Sequence, residues 1–268
     1  MFVTEWPFTS SLRGTKQSRL LEYVGASKAR YRFVSLAISY ITGKGGIQAV
    51  ENVEKLKQDL IAVCRVIAHQ GLADAFAHVS ARLPGAESML FMPGKSPVLV
   101  KHEELFVVDL HTPVSQSAVH QAIYRARPDA MAIVHTHPPR AIALTLIGET
   151  IRPVHNDSVM FWQGVPVYDI LGRVNDSETG DKIARVLGQC AAILLRGHGV
   201  LTVAGNLRDA CLLSIFLERT AVMLLEVTPL GKAREFPKDQ AKEFAPQFFN
   251  DNSNQRAWEH FKQQAGVA

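Results

Sequence analysis

Met131-Ala132-Ile133-Val134-His135-Thr136-His137 is the stretch from which the rest of the chain can be read. Its apolar, β-branched run of strand length follows the turn residues Pro128-Asp129, which marks it as a buried strand ending in two histidines. Before it, a helix from about Gln116 to Arg127 must stop, because a residue preceding proline is pushed out of the helical region. After it, a helix follows Pro139.

The alternation continues in both directions. Downstream lie a strand at 165–170, a helix at 178–187, a strand at 191–195 and, after Arg196-Gly197-His198-Gly199, a long apolar helix at 207–227. A Pro-containing linker then leads to an amphipathic helix near 255–264. Upstream, short strand-like runs at 77–83, 89–92 and 106–110 follow a helix whose apolar residues Val50, Val53, Leu56, Leu60, Val63 and Ile67 recur every three or four positions until Gly71 stops it. Strands alternating with helices in this way predict a three-layer α/β sandwich. Residues 1–45, rich in Ser, Arg and Lys and closed by Gly43-Lys44-Gly45-Gly46, read as an N-terminal arm, leaving 46–268 as one domain.

Composition narrows the function classes. Of 268 residues 47% are hydrophobic and 20% charged, the pattern of an ordinary globular protein. The formal net charge of +4 is spread along the chain without a basic block, which argues against nucleic acid and leaves a small anionic substrate as the expected partner. Cys64, Cys190 and Cys211 have no metal-like spacing and read as small buried hydrophobes of a reducing compartment. No apolar run reaches the length of a membrane span, so a cytoplasmic protein without a membrane partner is expected.

Side chains two apart on a strand point to one face, so His135 and His137 can reach a single ion. His198 stands between two glycines at the end of another strand, where the backbone can turn sharply. Three imidazoles with an open position are the donor set of a catalytic metal. One divalent ion per subunit is expected, zinc or manganese, a choice that ligand type does not settle.

The motifs His78-Val79-Ser80-Ala81-Arg82, Ile123-Tyr124-Arg125-Ala126-Arg127-Pro128-Asp129, Val134-His135-Thr136-His137 and Arg196-Gly197-His198-Gly199, in this order after a Gly-Leu-Ala-Asp opening, resemble the class II aldolase/adducin family over about 70–227. The resemblance implies a central mixed, largely antiparallel sheet, a homotetramer with sites at subunit interfaces, and His135, His137 and His198 as metal ligands. Family members include sugar-phosphate aldolases, an epimerase, a dehydratase, aromatic decarboxylases and the non-enzymatic adducin heads.

Departures from the pattern select within the family. Gln116 stands where the aldolases carry an acid/base glutamate, and an amide takes no proton at neutral pH. Ala77-His78 and Met92-Pro93-Gly94-Lys95-Ser96-Pro97 replace the phosphate-binding elements. The stretches Ser96 to Val100, Arg152 to His155, Gly164 to Ile170 and Arg256 to Glu259 look like the decarboxylase branch, which acts on dihydroxyphthalate or 3-hydroxy-2-methylpyridine-4,5-dicarboxylate. The expectation is therefore a metal-dependent carboxy-lyase of a hydroxy-substituted aromatic or heteroaromatic dicarboxylate. A sugar-phosphate aldolase, epimerase or dehydratase and a non-catalytic adducin-like module are the alternatives. His78 and Gln116 are the candidate catalytic residues; Lys95, Ser96 and His155 are the candidate substrate contacts. Arg82 and Asp129 are expected to organise the fold through ion pairs. Trp258 and Phe261 either close a neighbour's site or pack on their own subunit.

Overall fold

The computed structural model describes residues 51–267 apart from 171 and 173. The arm expected at 1–45 lies outside the described residues.

Seven strands form one sheet: β1 His78–Arg82, β2 Ser88–Phe91, β3 Phe106–Asp109, β4 Ala132–Thr136, β5 Val167–Tyr168, β6 Ala192–Leu195 and β7 Gly199–Ala204. Their order is β3-β2-β1-β4-β7-β6-β5. Every pairing is antiparallel except β5 with β6. This is the mixed, largely antiparallel sheet that the family resemblance implies.

Helices cover both faces: α1 over 51–69, α2 Ala118–Ala126, α3 Pro139–Leu146, α4 Ser177–Leu187, α5 Leu207–Val227, α6 Lys238–Phe248 and α7 Asp251–Gln264. Alternate residues of each strand serve opposite cores. Val79, Leu90, Val134, Leu194 and Val200 pack with α1, α3, α5 and α7, while Met89, Phe91, Ile133, Ile193 and Leu201 pack with α2 and α4. A one-residue slip of β4 would exchange the two sets, so the register is firmly specified.

Helix ends follow their local chemistry. The side chains of Asp176, Asn206 and Asn250 each accept a backbone N–H in the first turn of α4, α5 and α7. α3 has proline at its start and takes its cap from another helix: the Glu218 carboxylate of α5 accepts the N–H groups of Arg140 at 3.0 Å and Ala141 at 2.8 Å. α2 and α4 approach so closely that a Cβ at Gly180 would lie 2.9 Å from the Ala118 carbonyl oxygen and 3.2 Å from Ala122 Cβ.

Several expectations are corrected. β7 is absent from the sequence reading because its apolar run follows directly on the Arg-Gly-His-Gly turn and is parted from the apolar helix at 207–227 by only two residues, and an apolar run of that kind cannot be told from a buried helix by period alone. The expected linker before the last helix contains α6, a polar helix with Pro246 inside it that buries only Ala241 and Ala245. Trp258 and Phe261 are 7% and 3% exposed and belong to their own subunit's core, so they are not free to close a neighbouring site. Arg82 makes no ion pair among the described residues. It donates instead to the carbonyls of Tyr124, Ala130 and Arg127 and lies over the Tyr124 ring, while Asp129 pairs with Arg127 at 2.6 Å. Cys64 and Cys211 are buried as expected, and Cys190 is partly exposed.

Gly180→Ala tests the α2–α4 contact. Alanine should gain up to about 1 kcal/mol of helix propensity, but overpacking against a backbone carbonyl costs typically about 1–3 kcal/mol. The clash should win, and urea unfolding should show a lower midpoint; an unchanged or higher midpoint contradicts the packing.

Candidate metal and active site

Antiparallel pairing brings the start of β1, the end of β2, the end of β4 and the start of β7 to one edge of the sheet. His78 faces His135 in the β1–β4 register. His137 follows β4 by one residue, and His198 precedes β7. One ligand atom from each of His135, His137 and His198 lies within 4.8 Å of the others.

The hydrogen bonds fix which nitrogens are available. His135 Nδ1 lies 3.0 Å from the Val200 carbonyl, which can only accept, so Nδ1 carries the proton. His137 Nδ1 lies 2.8 Å from Asp74 Oδ1, and a carboxylate likewise requires a donor. With Nδ1 donating on both rings, Nε2 is the nitrogen each offers to a ligand, and these two atoms stand 3.1 Å apart. Two lone pairs at that distance repel unless a cation lies beside them. The His198 ring adds a buried Nδ1 without a hydrogen-bond partner. Three imidazoles so arranged fit a divalent ion.

Burial pushes the His135 and His198 pKa values below the ordinary histidine range, and the neighbouring His137 imidazole acts in the same direction. Glycine is required beside them. A Cβ at Gly199 would sit 2.5 Å from the Thr136 carbonyl oxygen, 2.7 Å from His137 Cδ2 and 3.2 Å from His135 Cε1.

The other candidates divide into two groups. His78 stacks on His135 with ring centroids 6.0 Å apart and touches Phe91 at 5.7 Å. Burial, followed by the nearby His137 imidazole, lowers its pKa to about 4. Gln116 packs against the loop that follows β2, since a Cβ at Gly94 would lie 2.9 Å from its Nε2. It thereby adjoins Lys95 and Ser96. Lys95 Nζ is 2.5 Å from Glu104 Oε1, so its ammonium is paired. Arg65 of α1 holds the same segment by donating to the carbonyls of Pro97 and Val100. His155 serves the fold: Nδ1 accepts from the Asp157 N–H and Nε2 meets the Thr220 hydroxyl at 3.0 Å, so both ring nitrogens are committed.

Sequence reasoning assigned no role to Asp74, Glu104 or His120. Asp74 closes the Gly-Leu-Ala-Asp opening, and its place in that motif was the signal available for it. His120 is fully buried on α2, with Nδ1 2.7 Å from Ser80 Oγ, which in turn lies 2.9 Å from the Tyr124 hydroxyl.

Comparison with known proteins agrees with this geometry. The model of the class II aldolase and adducin N-terminal domain matches residues 58–225, and the chain belongs to that family. The class II aldolases of this family are lyases that depend on divalent metal. The chain is 29% identical over 228 residues to the 3,4-dihydroxyphthalate decarboxylase of Arthrobacter keyseri, covering 76% of this chain and 91% of that one. Decarboxylase NovR of Streptomyces niveus is 31% identical over 125 residues, 46% of either chain. Both are named as decarboxylases, which are carboxy-lyases. Among solved structures, an aldolase II superfamily protein from Pseudomonas syringae superposes with a TM-score of 0.69 at 23% identity, over 79% of this chain and 92% of that one. L-fuculose 1-phosphate aldolase from Glaciozyma antarctica superposes with a TM-score of 0.68 at 25% identity, over 79% and 88%. No described helix is long and apolar enough to cross a membrane.

Asp74→Ala should weaken divalent-metal affinity about 10- to 100-fold by freeing the His137 ring. Competition with a chromophoric chelator measures this, and unchanged affinity would remove Asp74 from the site.

A second outcome concerns acid. Burial holds the folded-state pKa values of His78, His120 and His135 below the ordinary histidine value of about 6.5, so the unfolded chain binds protons that the folded one does not. Stability of the metal-free protein should be full above about pH 6.5 and fall as pH drops toward about 4. Urea midpoints across that window should decline; constant midpoints would contradict buried neutral rings.

Proposed function

We propose that this protein is a metal-dependent decarboxylase of a hydroxy-substituted aromatic or heteroaromatic dicarboxylate, of the kind exemplified by dihydroxyphthalate or 3-hydroxy-2-methylpyridine-4,5-dicarboxylate. The observation that carries the reading is a neutral histidine, His78, beside the three-imidazole donor set, with an amide, Gln116, at the position where an aldolase needs a carboxylate base. Similarity to a 3,4-dihydroxyphthalate decarboxylase over 91% of that enzyme's length supports it.

His135, His137 and His198 would hold one zinc or manganese ion per subunit. When bound, the ion supplies positive charge for the electron density that develops on the substrate. Lys95 and Ser96 bind a substrate carboxylate, the ammonium exchanging part of its pairing with Glu104 for it. Gln116, packed on the same loop, offers hydrogen bonds without adding negative charge beside an anionic substrate. The bond between the ring carbon and the departing carboxylate breaks, and its electron pair stays on the ring carbon as carbon dioxide leaves. The N–H of neutral His78 delivers a proton to that carbon and is refilled from water. A neutral imidazole with a depressed pKa is suited to donating to developing charge in this way. His155 is left out of the site because both its nitrogens are used by the fold. Assembly into a tetramer and a cytoplasmic location complete the proposal.

The test is release of carbon dioxide from a panel of hydroxy-aromatic dicarboxylates by metal-loaded protein. Wild type should turn over at least one member, and His198→Ala should lose both metal and activity. Silence across the panel together with cleavage of a sugar phosphate would overturn the reading.

A further inference from the structure

His120 is 0% exposed, stands on α2 across from β1, and has one ring nitrogen engaged and one not. Its proton can be located by counting. If the Tyr124 hydroxyl donates to Ser80 Oγ and Ser80 Oγ–H donates to His120 Nδ1, a single buried polar group, Nε2–H, is left without a partner. If the chain runs the other way, the Tyr124 proton and the Nε2 lone pair are both orphaned. An unsatisfied buried polar group costs about 1–3 kcal/mol, so the first direction prevails. Tyr124, Ser80 and His120 thus make a directed chain whose last member is a buried N–H donor seeking an acceptor.

Two rings flank the His120 ring: Phe91 with centroids 5.3 Å away, and His78 at 6.4 Å, both edge-on to it. Of the two, only His78 has ring nitrogens that can accept. His78 makes ring contacts but no hydrogen bond among the described residues, and Ser80 lies two residues along the same strand, on the same face. A slight turn of the His78 ring or one intervening water closes the gap, as in many sites whose hydrogen bonds tighten only when substrate is present.

We infer that His120 is a positioning residue for His78: its Nε2–H, set by Tyr124 and Ser80, donates to one ring nitrogen of His78 and thereby fixes the tautomer whose other nitrogen presents its N–H to the substrate. The inference rests on the reading of His78 as the proton donor. The donor on the far nitrogen does two things. It holds the ring in one orientation, and it stabilises the negative charge left on the ring as the opposite N–H gives up its proton. It also disfavours protonated His78, in which two N–H groups would oppose each other.

Long-range proton–nitrogen correlation spectra of the full-length protein labelled with ¹⁵N-histidine, above neutral pH and with and without metal, read each ring's tautomer directly. Wild type should show His120 protonated at Nε2 only and His78 in a single tautomer. His120→Leu should leave metal content intact, give His78 both tautomers, and lower kcat about 10- to 100-fold with little change in KM, a fraction of what a positioned proton donor contributes. His120→Gln, whose amide can still donate, should restore much of both signals. If His120→Leu does not fold, Ser80→Ala serves, since removing the Nδ1 partner should let His120, and with it His78, populate both tautomers. His120 protonated at Nδ1, or a His78 tautomer indifferent to these substitutions, overturns the inference even where carbon dioxide is released. The expected tautomers in a protein that releases none would overturn the decarboxylase reading and leave the His120–His78 bond standing.

Discussion

The antiparallel pairing of β4 with β7 is the contact on which the site depends. It aligns His135 with Leu201 and Thr136 with Val200, so the last residues of one strand and the turn before the other meet at the same sheet edge. Residue 199 must be glycine there, because a side chain would occupy the space of the Thr136 carbonyl and the two histidine rings. The same pairing supplies the Val200 carbonyl that fixes the His135 tautomer. One backbone ladder therefore sets where the ligands stand, how near they come and which nitrogen each offers. Because both strands are buried on both faces, the ladder is among the least deformable parts of the chain.

Around that ladder the polar groups are unevenly distributed. His78, Ser80 and His135 emerge on the face of the sheet covered by α2 and α4, among Phe91, Ile133 and Leu201, while the opposite face is sealed by the larger apolar cluster. An imidazole in such surroundings stays neutral, since burial opposes its charged form. The low pKa values of His78, His120 and His135 share that cause. Neutral rings are what both metal ligation and hydrogen-bond donation require, so the environment that favours the fold also prepares the chemistry.

Much of this was legible in the sequence because it depends on short-range spacing. His135 and His137 share a strand face by period alone, and glycines on both sides of His198 signal close backbone approach. The layered α/β architecture followed from the alternation of apolar runs with amphipathic ones. What was not legible depends on contacts between distant segments. Asp74 reaches His137 across 63 residues, and His120 meets Ser80 across 40. Asp74 ends a short motif that says nothing of which histidine it meets, and His120 carries no local pattern that distinguishes it from a core histidine. β7 escaped notice because its register is set by β4 and β6 and its own run is parted from the following apolar helix by only two residues, and α6 because a polar segment containing proline has little helical signature until Val159 and Trp162 receive its alanines. Lys95 and Ser96 were read correctly as neighbours on one loop, but the carboxylate that pairs with Lys95 comes from a separate turn.

The grip of Glu218 on the start of α3 has a mechanical consequence. α3 begins two residues after His137, and its first free amides are held by a carboxylate near the middle of α5, the longest described helix. The strand end that carries two ligands is thus braced against a rod that runs the length of the domain. Burial raises the pKa of that carboxylate despite the two N–H groups that favour its charge. A substitution anywhere along the buried side of α5 that rotates or slides the rod would be transmitted to the histidines as a displacement, without touching them. The geometry of the site is in this sense a property of a neighbouring helix as much as of its own residues.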